Sequence, residues 1–168
     1  ANVEDTGAVT GAAAIWMAAR GGAVYNNGTV KNITGNVINN HATVNNGGNL
    51  DAENLQLDTY GGAIFNSGTI NLSAVNDSIL FSGNTATTGG AIYNSGTITM
   101  NIGANKQIRF ATISDDVYNN GTITMTGDGY LYLQSVSGDG TFNIDGLVGL
   151  ADTATLTQNT VQLTENGY

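Results

Sequence analysis

The residues best placed to do chemistry in this chain are the adjacent carboxylates Asp115-Asp116, with Arg109 shortly before them. Two carboxyl groups at a suitable separation can divide general acid and base work on a glycosidic bond. This pair, however, stands where other copies of an internal repeat carry Gly-Ala. A solvent-facing corner is therefore the favoured reading, with Arg109 in a surface ion pair rather than clamping a transition state. His41, the single histidine, lies in Asn39-Asn40-His41-Ala42. No Ser, Cys or metal-ligand constellation accompanies it, so it reads as a solvated loop residue. Gly127-Asp128-Gly129 and Gly138-Asp139-Gly140 have the composition of calcium loops. They lack the Gly-Gly-x-Gly-x-Asp nonapeptide and the EF-hand spacing, and are expected to be turns. Asn32-Ile33-Thr34 matches a glycosylation acceptor. Trp16 could anchor a partner, but packing against the first structural unit is favoured. No catalytic set, cofactor or metal site is expected, and the chain reads as non-enzymatic.

Composition narrows the class further. The chain has 168 residues, 24 Gly, no Pro and no Cys. Charged residues make up 10% and hydrophobic ones 40%. Charge this sparse with that apolar share predicts a folded chain, not a disordered one. Its polar surface must come from Asn, Thr, Ser and Gly, which suits a β-rich extracellular protein. Net charge is -9, and the cations are Arg20, Lys31, Lys106 and Arg109. Nucleic-acid affinity depends on neutralising phosphates, so no nucleic-acid partner is expected. Anionic membrane surfaces are disfavoured for the same reason. The apolar stretch 12–19 is too short to span a membrane, so direct insertion is not expected. Without cysteine, an oxidising compartment is allowed but not required. The start at Ala1 is compatible with a leader having been removed.

The elements that would position any site follow from an internal repeat. Gly21-Gly22-Ala23-Val24-Tyr25-Asn26-Asn27-Gly28-Thr29-Val30 aligns with Gly61-Gly62-Ala63-Ile64-Phe65-Asn66-Ser67-Gly68-Thr69-Ile70. Gly89-Gly90-Ala91-Ile92-Tyr93-Asn94-Ser95-Gly96-Thr97-Ile98 is a third copy, and Asp115-Asp116-Val117-Tyr118-Asn119-Asn120-Gly121-Thr122-Ile123 a fourth. Val44-Asn45-Asn46-Gly47 and 136–142 read as degenerate copies. Counted from Tyr25, Val44, Phe65, Tyr93, Tyr118 and Val136, the intervals are about 19, 21, 28, 25 and 18 residues, the range of a solenoid. Short β-branched runs such as Thr29–Ile33, Ile70–Leu72, Ile79–Phe81, Ile98–Ile102 and Tyr130–Leu133 read as strands.

The expected architecture is all-β, a right-handed parallel β-helix of about seven coils over 21–168. At the inter-strand spacing of about 4.8 Å that is a rod roughly 30–35 Å tall. Tyr25, Phe65, Tyr93 and Tyr118 are expected to stack inside the column. Asn26, Asn66, Asn94 and Asn119 should form an amide ladder at a corner. Gly28, Gly68, Gly96 and Gly121 should supply backbone freedom there. The Gly-Gly-Ala segments should let coils approach closely. Residues 1–20 form an N-terminal cap segment. Within it 11–20, rich in good helix formers and ending at Gly21-Gly22, predicts a short helix, with one more strand-bearing coil as the rival. Residues 151–163 alternate as two further strands.

Gly-Gly-Ala-Ile, joined to Phe81-Ser82-Gly83-Asn84 just upstream of Gly89, resembles the short repeats of chlamydial polymorphic outer-membrane proteins. Those are similar to autotransporters, whose passenger regions are right-handed β-helices on the bacterial surface. The resemblance covers roughly residues 21–146. It implies a β-helix exported to the cell surface. The repeat array, the acidic, cation-poor surface and the missing catalytic set point to a non-enzymatic display rod or adhesin, with a host or neighbour-cell surface glycan or protein as partner. Binding would come from the side faces or from the loops between coils, the longest of them in the 28-residue interval at Ser73–Asp77 or Thr85–Thr88. The alternative is a secreted fibre subunit, a homo-oligomer joined end to end or laterally. A third reading is a polysaccharide-active enzyme, because some β-helices resemble pectate lyases.

Overall fold

The computed structural model describes residues 2–4, 15–45 and 55–167. Among these the chain is all-β, without a helix, and every strand pairing is parallel. One pass of the chain carries β1 (Asn2–Glu4), β2 (Ile15–Arg20), β3 (Val24–Asn26), β4 (Thr29–Ile33) and β5 (Val37–Ile38). The next carries β6 (Thr43–Asn45), β7 (Leu55–Tyr60), β8 (Ile64–Asn66), β9 (Thr69–Ala74) and β10 (Ile79–Ser82). Later passes are shorter. They hold β11 (Ile92–Asn94), β12 (Thr97–Ile102) and β13 (Gln107–Phe110), then β14 (Val117–Asn119) and β15 (Thr122–Leu133). β16 (Val136–Ser137), β17 (Thr141–Leu150) and β18 (Thr160–Leu163) follow.

Each pass lies in register on the next, in curled sheets consistent with a solenoid. β3, β8, β11, β14 and β16 form one five-stranded sheet, and an isolated bridge from Val136 to Leu156 extends it. A nine-stranded sheet contains the order β4-β9-β12-β15-β13-β10-β5, because the long β15 runs along two sides. β17 and β18 extend that sheet.

Alternation along these strands makes the core. β9, β12 and the first half of β15 turn every second residue inward. The register stacks Ile70, Ile98, Ile123 and Phe142 in one column and Leu72, Met100, Met125 and Ile144 in another. Phe81 and Phe110 stack face to face inside, with centroids 4.5 Å apart. Burial of each such side chain contributes about 1.5–3 kcal/mol. A single pass cannot close this interior, so its apolar face depends on its two neighbours.

Four expectations are corrected by this register. The Tyr25, Phe65, Tyr93, Tyr118 ladder exists, but on the outside of the sheet, not within the column. In each three-residue strand the first and third residues point inward, so Ile64 and Asn66 face the core and Phe65 the opposite side, where Arg20 and the neighbouring rings leave it only 8% exposed. Tyr25 is accordingly 54% exposed, while Ile64 and Asn66 are buried. Second, Ile15–Arg20 is strand, not helix, and pairs along its length with β7; residues 11–14 lie outside the described residues. Third, Val44 is not a level of the Tyr25 column. It pairs with Val3 in β1–β6, so Tyr25 to Phe65 is a single long pass. Asn26 and Asn66 are correspondingly 40 residues apart, against 28 and 25 for the next two steps. The first two passes carry an extra lobe, and the two lobes pair with each other through β1–β6 and β2–β7. Over 151–163 the two expected strands resolve into the Leu156 bridge and β18.

The fourth correction concerns glycine. The left-handed conformation belongs to the first glycine of each Gly-Gly-Ala, with φ of 67°, 61° and 64° at Gly21, Gly61 and Gly89. Gly68, Gly96 and Gly121 are required instead by close approach. A Cβ on Gly96 would collide with the carbonyl oxygen of Gly68, and one on Gly121 with that of Gly96. Gly28, at the start of the row, has open space around the same position. Gly96→Ala is therefore expected to cost about 1–3 kcal/mol in urea unfolding, whereas Gly28→Ala should stay within about 0.5 kcal/mol of wild type.

Candidate functional site

Three side-chain arrangements gather the polar and aromatic chemistry of the chain. The first is the amide ladder. Asn26 Nδ2 donates to Asn66 Oδ1, Asn66 to Asn94 and Asn94 to Asn119, each at 2.7 Å. Every Oδ1 in the row also accepts the N–H of the glycine two residues on, at 3.1–3.2 Å. Each Nδ2 additionally reaches the carbonyl of Thr69, Thr97, Thr122 or Thr141 on the next level. The amides are thus buried with their donors and acceptors filled, as a low-dielectric interior requires. Above Asn119 the next level offers Gly138, which has no side chain to continue the row. Gln158, two levels up, reaches back past it, and Asn119 Nδ2 donates to Gln158 Oε1 at 2.6 Å. Gln158 Nε2 donates to the Gly138 carbonyl at 3.1 Å, closing the ladder.

The second arrangement is a corner built on Asp115. Asp115 is buried and accepts five hydrogen bonds, from Gly83 N, Asn84 N, Asn84 Nδ2, Thr112 N and Thr112 Oγ1, at 2.6–3.2 Å. Asn84 Oδ1 in turn accepts from Asn40 N and Nδ2 at 3.0 Å. Asn40, Asn84 and Asp115 therefore form a second ladder. The Phe81-x-x-Asn84 spacing recurs as Val37-x-x-Asn40, because Val37 and Phe81 are paired. Asp115 is not the solvent-facing residue expected of it. Asp116 accepts the Gly90 N–H, so the two carboxylates serve different loops. Burial pushes the Asp116 carboxyl above the usual carboxylate range, opposed by the Gly90 bond and aided by the neighbouring Asp115. Arg109 does not clamp this pair; its guanidinium lies 5.4 Å over the Tyr132 ring.

The third arrangement is the outward aromatic ladder. Tyr25–Phe65, Phe65–Tyr93 and Tyr93–Tyr118 stack with centroids 5.3, 5.0 and 5.3 Å apart. Arg20 lies 5.3 Å from the Phe65 centroid and 6.0 Å from that of Tyr60. Tyr60 meets Tyr93 edge to face at 5.1 Å. Arg20, Tyr60, Phe65 and Tyr93 line a cavity of about 250 Å³. Burial raises the Tyr60 phenol above its ordinary value, helped by the charge and hydrogen bond of Asp58, and burial likewise raises Tyr93. Both phenols stay protonated at neutral pH. Ring faces within the row are covered by their neighbours. What the face can offer a ligand is ring edges, hydroxyls and one guanidinium, together suited to hydroxyl-rich or anionic groups.

The remaining sequence candidates are dispersed. His41 Nδ1 lies 2.6 Å from Thr85 Oγ1 on an exposed edge. Thr85–Thr88 is not a free loop: Thr85 bridges His41, Thr88 bridges Tyr60, and Thr87 exchanges hydrogen bonds with Thr59. Val75-Asn76-Asp77 does form an exposed turn after β9. Gly127-Asp128-Gly129 stands opposite Gly146 where the β15–β17 register shifts, a bulge that bends the strand. Gly138-Asp139-Gly140 is the turn entering β17, with the Asp139 N–H donating to Asn120 Oδ1. Asn32 Oδ1 accepts from Asn71 Nδ2. The Trp16 side chain lies outside the described residues. Among the described residues no group of three or more His, Cys, Asp or Glu is placed to hold a metal, and no helix is long and apolar enough to cross a membrane. No protein-family model, curated protein or solved structure matches this chain.

Sequence reasoning missed Arg20, Tyr60 and Gln158. Aligning Ile15–Arg20 with Leu55–Tyr60 ahead of the shared Gly-Gly-Ala would have placed Arg20 and Tyr60 side by side.

Two outcomes follow. Asn94→Ala removes a central rung and leaves a buried amide and carbonyl short of a partner, a loss of about 2–5 kcal/mol. Asn26→Ala, with a rung on one side only, should cost roughly 1–2 kcal/mol; chemical denaturation measures both. The raised Asp116 carboxyl means that the folded state binds more protons than the unfolded one just above the ordinary carboxylate pKa. Its contribution to stability therefore falls as pH rises through that window. Asp116→Asn is expected to flatten that fall relative to wild type in melting curves taken between acid and neutral pH, and an unchanged slope would contradict the assignment.

Proposed function

We propose that the chain is a stretch of right-handed parallel β-helix from an exported bacterial surface protein, and that it acts as a non-enzymatic display rod of the adhesin type. Handedness follows from strand twist: parallel strands joined by a crossover in one sheet are right-handed in about 98% of cases. The repeat resemblance to chlamydial polymorphic outer-membrane proteins supports display outside the outer membrane.

The observation that carries the reading is the outward aromatic ladder beside Arg20. Stacking of the core does not need it, and aromatic surface of this kind favours a partner. Asp115, the amides and the threonines, by contrast, are engaged in holding one level on the next. The partner is a host or neighbour-cell surface glycan or protein, met along the side of the rod through Arg20, Tyr25, Tyr60 and Tyr93.

Binding of the purified chain to cell surfaces and immobilised glycans tests this. Arg20→Gln combined with Tyr60→Ser should weaken binding by at least about tenfold, as loss of one charged contact and one phenol predicts, with the circular dichroism spectrum unchanged. Undiminished binding by this variant, with loss on replacing Val75-Asn76-Asp77, would move the site to that turn. Reducing-end release from acidic polysaccharide, abolished by Asp115→Asn or Asp116→Asn with the circular dichroism spectrum unchanged, would establish an enzyme instead.

A further inference from the structure

The side that β9, β12, β15 and β17 turn away from the core is an ordered array of hydroxyls. The register places Thr29, Thr69, Thr97, Thr122, Thr141 and Thr160 in one outward column. Beside it stand Asn71, Thr99, Thr124 and Asn143, and beside those Ser73, Asn101 and Thr126. From β9 to β17 these columns run without a register shift. Levels are about 4.8 Å apart, and alternate residues of one strand about 6.6 Å apart.

Cross-strand threonine pairs contribute about 0.2–1 kcal/mol each to a sheet. Valine would serve that purpose as well, so sheet stability does not account for the hydroxyls. Elsewhere in the chain threonine hydroxyls hold the structure together: Thr87 Oγ1 donates to the Thr59 carbonyl, and Thr112 Oγ1 to Asp115. Among the described residues, the Oγ1 atoms of Thr69, Thr97, Thr99, Thr122 and Thr141 enter no hydrogen bond within the protein. Asn71 Oδ1 and Asn143 Oδ1, which flank Thr99 and Thr124, also lack a donor. From β9 to β17 the first two columns carry no charge, on a chain whose net charge is -9. The nearest charges, Lys31 in β4 and Asp145 after Thr126 in the third column, stand at the margins.

We propose that this threonine face is a binding surface for crystalline water, the surface of ice. The two spacings of the array approach the repeats of water oxygens on a prism face of ice. Paired strands fix the hydroxyls before contact, so little ordering cost remains to be met on binding. Threonine methyls between them order first-shell water. A charged side chain would hold its hydration shell in its own orientation and break the lattice, and a neutral lattice here meets a neutral face. The proposal does not depend on the binding through Arg20 and Tyr60, which lies on a different side of the solenoid.

Thermal hysteresis, the gap between melting and freezing of a seed crystal, and enrichment of labelled chain in slowly growing ice test it. Wild type should open a gap that grows with concentration and should be enriched in the ice. Thr97→Lys, at an exposed position within the first column, should reduce both at least about tenfold, as loss of a central contact predicts, with the circular dichroism spectrum unchanged. Thr69→Lys, also exposed, takes its place if Thr97→Lys does not fold. Gln107→Lys, exposed on β13, should leave both readouts at the wild-type level. A wild type without a gap or enrichment overturns the proposal, as does a Thr97→Lys variant that matches wild type or a Gln107→Lys variant that loses as much. Retention on crystalline cellulose that Thr97→Lys abolishes, without any effect on ice, would assign the face to a polysaccharide surface and overturn it too.

Discussion

In-register parallel pairing is the constraint from which the rest of this structure follows. It places each side chain directly above its counterpart one strand spacing away, about 4.8 Å. At that distance a residue must tolerate a copy of its own type. Aliphatic side chains do so by packing, aromatic rings by stacking, and asparagine because its amide carries a donor and an acceptor that join head to tail. A carboxylate does not tolerate a second carboxylate, and accordingly Asp115 sits over Asn84 and not over another acid. The same spacing leaves no room for a Cβ on Gly68, Gly96 or Gly121.

This constraint also explains where the chemistry of the chain has gone. Residues that in another fold would be catalytic candidates are here the hydrogen-bonding partners of backbone at the corners. Asp115 satisfies the turns at Gly83-Asn84 and at Thr112, and Gln158 ends the amide row where Gly138 interrupts it. Such groups are costly to remove because the buried backbone they serve has no other partner. The outward rows are free of that duty. The aromatic row, Tyr25, Phe65, Tyr93 and Tyr118, carries an arginine beside only its first half.

The lengths of the passes reinforce the division. The steps between successive ladder amides are 40, 28 and 25 residues, yet the core columns run straight through. Extra chain is placed outside the columns, in lobes that pair with each other as β1–β6 and β2–β7. Interior packing therefore sets the register, and outer segments accommodate the difference in length.

The repeat Gly-Gly-Ala-aliphatic-aromatic-Asn-x-Gly-Thr was enough to determine an all-β, parallel, stacked architecture, the amide ladder and the aromatic row, because a fold that superposes like on like writes its period into the chain. Which side of the sheet each row occupies was decided by tertiary structure. In Ile64-Phe65-Asn66 two apolar residues precede an amide, so alternation alone does not say whether Phe65 or Ile64 turns inward; packing against the next level does. Ile15–Arg20 carries good helix formers, but pairing with Leu55–Tyr60 outweighs that local preference. Val44 shares a local pattern with the repeat, and only the partner strand reveals that it lies over Val3 and not beneath Phe65. Asp115 looked solvent-facing because three of its five donors come from residues some thirty positions earlier. A one-dimensional pattern records which residues recur, but the donors that surround a buried carboxylate are brought together only when the levels stack.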